Sequence, residues 1–313
     1  MMLSRPFAAL LLSLPLASLS PLPVPTGLSG LSGAAHAAAG ARTPDVAVQP
    51  GPRLTRMLEL LRIEELLEIL REEGIDYARL VRAEMFPEIA AGPWDARIAR
   101  IYDVTRMRGL IETGFAAKGG DQDAEAGTTI AAPALEQAVE FFSTDLGQRI
   151  TRLEIDARRA MLDEMVERQA AQDYARVMEE EPARQALLEE FVAANDLIES
   201  NVVGGMNSNY AFYSGLLDGG AFPFDVSEEQ VLSDVWSQED EIRSESEIWI
   251  YSYLNLAYQP LSNAEMGDYV AFSRSDAGRA FNRALFDAFD LVFNTMSYDL
   301  GRAAGNSLRG EEL

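Results

Sequence analysis

From Leu54 onward the apolar residues fall at three- and four-residue steps. Leu54, Met57, Leu58, Leu61, Leu66 and Leu70 make one stripe with Arg and Glu between them, the pattern of an amphipathic helix. Gly74 is placed to end that helix as a C-cap, with a second short helix over Tyr77–Phe86 stopping at Pro87. The segment that begins at Pro93 and closes on Gly119-Gly120 reads as a single helix. After Pro133, Leu146, Ile150, Leu153, Ala157 and Met161 define a buried face, and Glu179-Glu180-Glu181-Pro182 breaks the run. A helix then leads to Gly204-Gly205, where a kink or break is expected. Ser227 with Gln230, and Ser262 with Glu265, are spaced as capping boxes; the first opens a helix that holds Trp236. Phe281, Leu285, Phe289, Val292, Phe293 and Met296 form the last apolar face. Nowhere do β-branched residues alternate with polar ones, so the expected fold is all-α, a multi-helix bundle.

Two short strings repeat. Placing Asp145 over Asp276 aligns "AVEFFSTDLGQRI" with "YVAFSRSDAGRAF" without gaps: Phe141 meets Phe272, Thr144 meets Ser275, Asp145 meets Asp276 and Gly147 meets Gly278. In each, a hydroxyl residue stands ready to cap the amides of a new helix, and the next aspartate sits where the helix dipole favours negative charge. Glycine in a first turn costs about 1 kcal/mol against alanine, so a neighbour packed closely against it is expected to compensate. The strings predict two matching corners between packed helices, in two pseudo-repeated halves. The expected division is residues 53–203 and 204–313, or one compact domain over 53–313.

The corner string resembles the signature of an exported bacterial all-helical family, the domain of unknown function twenty fifty-nine. "LSNAEMGDYVAFSRSDAGRAFNRAL" (261–285) is the clearer match and residues 135–150 the weaker, and the opening "LLRIEELLEIL" is similar to the family as well. Family members often carry proline after the hydroxyl, where this chain has Asp145 and Asp276. The resemblance implies export and a helical fold, and brings no activity or catalytic residue.

Composition narrows function further. Arg5 followed by an apolar run to about Leu19 reads as a secretory signal, residues 1–37, with Ala35-His36-Ala37 as the cleavage site; an earlier cut or an uncleaved anchor is the alternative. Residues 38–52 read as a flexible lead-in, and the mature chain is expected in the periplasm or secreted. With 26 Lys and Arg against 50 Asp and Glu, the net charge is −24, which disfavours nucleic-acid and anionic-lipid partners. No later apolar run is long enough for a transmembrane segment.

There is no cysteine, and the one histidine, His36, falls in the expected leader. A Ser-His-Asp triad, a Cys-His pair and a usual zinc site are therefore not expected, nor is any cofactor or metal. The loop with Asp121, Asp123 and Glu125 fails the EF-hand rule, because Ala126 and Ala132 stand where Gly and Glu belong. Lys118 reads as an exposed charge near a helix end. Arg158-Arg159 with Glu154 and Asp156 suggest surface ion pairs. Carboxylates remain the available catalytic groups, and neither Glu140 nor Glu154 is singled out by sequence. The aromatics Trp249, Tyr253 and Tyr258 read as core, or as the wall of an apolar ligand pocket. The first expectation for function is a non-enzymatic helical binding or interaction protein with an unidentified protein partner. The second is a carrier of a small apolar molecule or lipid, and the third a carboxylate-dependent envelope hydrolase.

Overall fold

A computed structural model describes residues 50–116, 128–222 and 226–310. The leader, His36, Lys118 and the candidate calcium loop lie outside the described residues. Within them the chain is all-helical, with no strand. In order the helices are α1 (Pro52–Leu60), α2 (Ile63–Met85), α3 (Ala91–Ile101), α4 (Val104–Ala116), α5 (Ala132–Ser143), α6 (Asp145–Ala160) and α7 (Glu164–Glu180). They continue with α8 (Pro182–Ala194), α9 (Leu197–Asp218), α10 (Glu228–Trp236), α11 (Glu239–Tyr258), α12 (Asn263–Arg274) and α13 (Asp276–Leu308).

The helix stops that depend on local chemistry fall where the sequence puts them. Ser227 and Ser262 close both capping boxes, and Pro182 opens α8 after the acidic break. Three other expected boundaries differ. Gly74 does not end a helix: α2 runs through it, and the missing side chain makes room for the Tyr102 ring, which a Cβ at Gly74 would strike. The segment after Pro93 is two helices, because Asp103 Oδ1 accepts from the Arg106 amide at 2.9 Å and starts α4 afresh. Gly204 and Gly205 lie buried within the unbroken α9, where packing offsets their poor helix propensity.

α13 is the central rod. It packs on α9, α4, α5 and α3, and its Phe281, Leu285, Phe289, Val292, Phe293 and Met296 are all buried. Against α9 the backbones themselves touch. Gly215 lies under the Tyr298 carbonyl and Gly301 under the Phe212 carbonyl, and a Cβ at either would collide. Only glycine allows this approach. Among the described residues, two that are not glycine hold a left-handed backbone, Arg62 before α2 (φ 54°) and Asp196 before α9 (φ 51°).

Candidate functional site

The corners are built by the first turns of α6 and α13. Thr144 has φ −69° and ψ 160°, and Ser275 has φ −66° and ψ 159°. Each hydroxyl accepts from the glycine amide three residues on, Gly147 and Gly278, at 3.0 Å in both. Each also donates back to the phenylalanine carbonyl, Phe141 at 2.7 Å and Phe272 at 2.6 Å. The glycines are required because the preceding helix doubles back onto them: a Cβ at Gly147 would strike the Phe141 carbonyl, and one at Gly278 the Phe272 carbonyl. The close neighbour expected from sequence is therefore the incoming helix of the same corner. Asp145 and Asp276 occupy the first turns, and Asp276 pairs with Arg279 at 2.7 Å.

The corners also meet. The Phe141 and Phe272 rings stack with centroids 4.1 Å apart and planes 6° from parallel. Phe141 stacks in turn on Tyr269 of α12 at 5.6 Å, and Tyr269 carries the contact inward to a buried carboxyl.

That carboxyl belongs to Glu154 on α6, which is only 2% exposed. Its Oε1 accepts from Tyr258 Oη at 2.6 Å and from Tyr269 Oη at 3.2 Å. Its backbone carbonyl accepts from Tyr253 Oη at 2.8 Å. Oε2 has no hydrogen-bond partner among the described residues. Burial pushes the carboxyl up to about 8, and the two tyrosine hydrogen bonds only partly oppose it. One helical turn further on, Arg158 is 1% exposed and donates to Glu73 Oε2 of α2. Burial raises Glu73 above the ordinary carboxylate range, with the Arg158 charge working the other way.

Glu154 and Arg158 are therefore not surface charges. The buried residues of α6 are Gly147, Ile150, Thr151, Glu154, Ile155, Ala157 and Arg158; of the face inferred from sequence Ile150, Ala157 and Met161 are buried, while Leu146 and Leu153 are only partly so.

Residues 129–173 match the model of a family described as an uncharacterized protein conserved in bacteria (DUF2059). The match to DUF2059 takes in α5, the Thr144 corner, all of α6 with Glu154 and Arg158, and the start of α7. The Ser275 corner lies beyond it. No curated protein and no solved structure matches the chain.

The other candidate residues also face inward. Trp249 stacks on Tyr253 at 4.9 Å, and Trp249, Tyr253 and Tyr258 are 7%, 1% and 0% exposed. A cavity of about 20 Å³ lies beside the Ser275 corner, lined by residues including Phe142, Phe191, Tyr269 and Gly278. Another, of about 10 Å³, lies by Gly74 and Tyr102. Neither holds more than a water or so, and neither touches Trp249, Tyr253 or Tyr258. No described helix is long and apolar enough to cross a membrane, and no described group of three or more His, Cys, Asp or Glu could hold a metal ion.

Sequence reasoning passed over the tyrosine-held carboxyl and one surface feature. Trp236 is 61% exposed at the end of α10, four residues after the partly exposed Leu232. The signal for the carboxyl was present in the aligned strings: carried past the corner without a gap, they set Glu154 over Leu285 and Arg158 over Phe289.

Proposed function

We propose that this is an exported, non-enzymatic helical protein that acts by binding another polypeptide at its surface. The carrying observation is where the chemistry and the apolar surface lie. Glu154, a carboxyl pushed up to about 8, is sealed behind three tyrosines, while Trp236 stands 61% exposed on an acidic helix pair. A general acid needs a raised carboxyl, but it must also reach substrate, and Glu154 is 2% exposed and lines neither of the two described cavities. A large exposed tryptophan is the kind of anchor that dominates protein interfaces.

The reading includes a duplication, with α1–α6 and α8–α13 as copies and α7 between them. This moves the division from Gly204-Gly205 to α7. Three features support it besides the corners. Pro52 and Pro182 open α1 and α8; Arg62 and Asp196 take the same left-handed turn into α2 and α9. The interval from Arg62 to Thr144 is also close to that from Asp196 to Ser275. The copies are interlocked, since α6 packs on α11 and α13 packs on α4.

The test is a comparison of the wild-type chain with Trp236→Ser, each recovered from envelope extracts of its own host. One specific polypeptide retained by the wild type and lost from the variant is the expected result. Native mass spectrometry that finds an apolar small molecule in place of a polypeptide would overturn it in favour of a carrier. Turnover of an envelope polymer by the purified chain, lost on changing one carboxylate, would overturn it in favour of a hydrolase.

A further inference from the structure

We propose that Glu154 is a proton-controlled latch: its neutral carboxyl holds α6, α11 and α12 together, and its ionisation loosens that junction. This is independent of the binding reading, because it concerns the core and not Trp236.

The groups that face Glu154 explain why. From α11 come Tyr258, donating to Oε1, and Tyr253, donating to the backbone carbonyl. From α12 comes Tyr269, donating to the same Oε1. The cation nearest along α6 is Arg158, one turn away, and it donates to Glu73 of α2. Arg158 is thus already paired with a carboxyl. A neutral Glu154 adds no charge to this set. An ionised Glu154 adds a buried negative charge whose Oε1 is held by neutral hydroxyls, and its Oε2 meets no donor among the described residues. A buried charge without a partner is far more costly than a neutral polar group. The inexpensive relief is entry of water where α12 and the end of α11 lean on α6. The three tyrosines, all raised well above 10 chiefly by burial, keep their protons throughout.

The direction of the pH effect follows. The folded chain holds the Glu154 proton up to about pH 8, whereas the unfolded chain releases it near the ordinary value of 4.5. Unfolding between those limits therefore releases a proton, and stability falls as pH rises through the interval. Apart from Glu73, whose carboxyl burial also raises, few other groups intrude there, since the chain has no cysteine and one histidine.

The test uses the full chain and Glu154→Gln. Unfolding equilibria are measured from pH 5.5 to 9, with hydrogen exchange of α11 and α12 at pH 6 and pH 9, corrected for the intrinsic rate. The wild type is expected to lose up to about tenfold in its folding equilibrium constant per pH unit below pH 8. Protection over residues 253–274 should drop selectively at pH 9. Glu154→Gln should flatten both responses. Parallel pH curves for the two proteins, or a loss of protection spread evenly over all helices, would overturn the latch. Should Glu154→Gln fail to fold, Glu154→Leu takes its place, and a flat wild-type curve below pH 8 overturns the proposal without any variant.

Discussion

At the same depth below its corner, α6 turns Glu154 into the core and α13 turns Leu285 into it; one turn later the pair is Arg158 and Phe289. The corners above them are nearly superimposable in their dihedral angles and cap hydrogen bonds. What differs is the partner. α13 lies on α4 closely enough that Gly114 has no room for a side chain beside Ala288, and aliphatic and aromatic groups fill the rest. α6 lies on α11, whose Tyr253 and Tyr258 present hydroxyls inward. One backbone device therefore delivers a helix to two different interiors. The polar interior is expected to respond to pH through Glu154, and the apolar one much less.

The most damaging way to break the comparison is to cut each helix at its second matched position. Arg158→Ala strands the Glu73 carboxyl, and Phe289→Ala opens a hole; each is expected to cost about 3–5 kcal/mol. Chemical denaturation at pH 7 separates the causes. Adding Glu73→Leu to Arg158→Leu should recover most of the loss, because the buried charge disappears with its partner. No second substitution of that kind should rescue Phe289→Ala.

Next in size are the glycines. Gly278→Val and Gly147→Val each force a side chain into the carbonyl of the incoming helix, and each should lose about 1–3 kcal/mol. An unchanged melting temperature in both would remove the packing account of the corners. Glu154→Leu, which gives α6 the residue that α13 has, should go the other way, with a gain of about 1–3 kcal/mol at pH 8. The gain shrinks at pH 5, close to the unfolded value of 4.5 and so near the low end of the interval over which the wild type loses stability, and the same denaturation series at the two values checks it. Smallest are the caps: Thr144→Ala and Ser275→Ala should each cost about 1 kcal/mol and agree within roughly 0.5 kcal/mol. Unequal losses would show that the two corners are alike in shape but not in energy.

The features legible in the sequence were those decided within a few residues. Thr144, Ser227, Ser262 and Ser275 cap helices because a hydroxyl and a nearby amide suffice, whatever packs later. The stripe from Phe281 to Met296 was legible because every member is apolar. Gly74 misled because its reason for being glycine is the Tyr102 ring, brought from another helix. Glu154 misled for the same kind of reason. A glutamate with an arginine four residues later is the ordinary sequence of an exposed helix face, and only Tyr253, Tyr258, Tyr269 and Glu73, all distant in sequence, put the pair inside. Its clue was comparative: the aligned corner strings place both residues over a leucine and a phenylalanine that belong to a core.

The most direct test is a carbon-13 nuclear magnetic resonance titration of the Glu154 side-chain carboxyl in the folded wild-type chain, assigned by its loss in Glu154→Gln. The account predicts a midpoint near 8, as burial behind the tyrosines requires. A midpoint close to 4.5, the value of a solvated glutamate, would contradict the sealed carboxyl and, with it, the contrast between the interiors of α6 and α13.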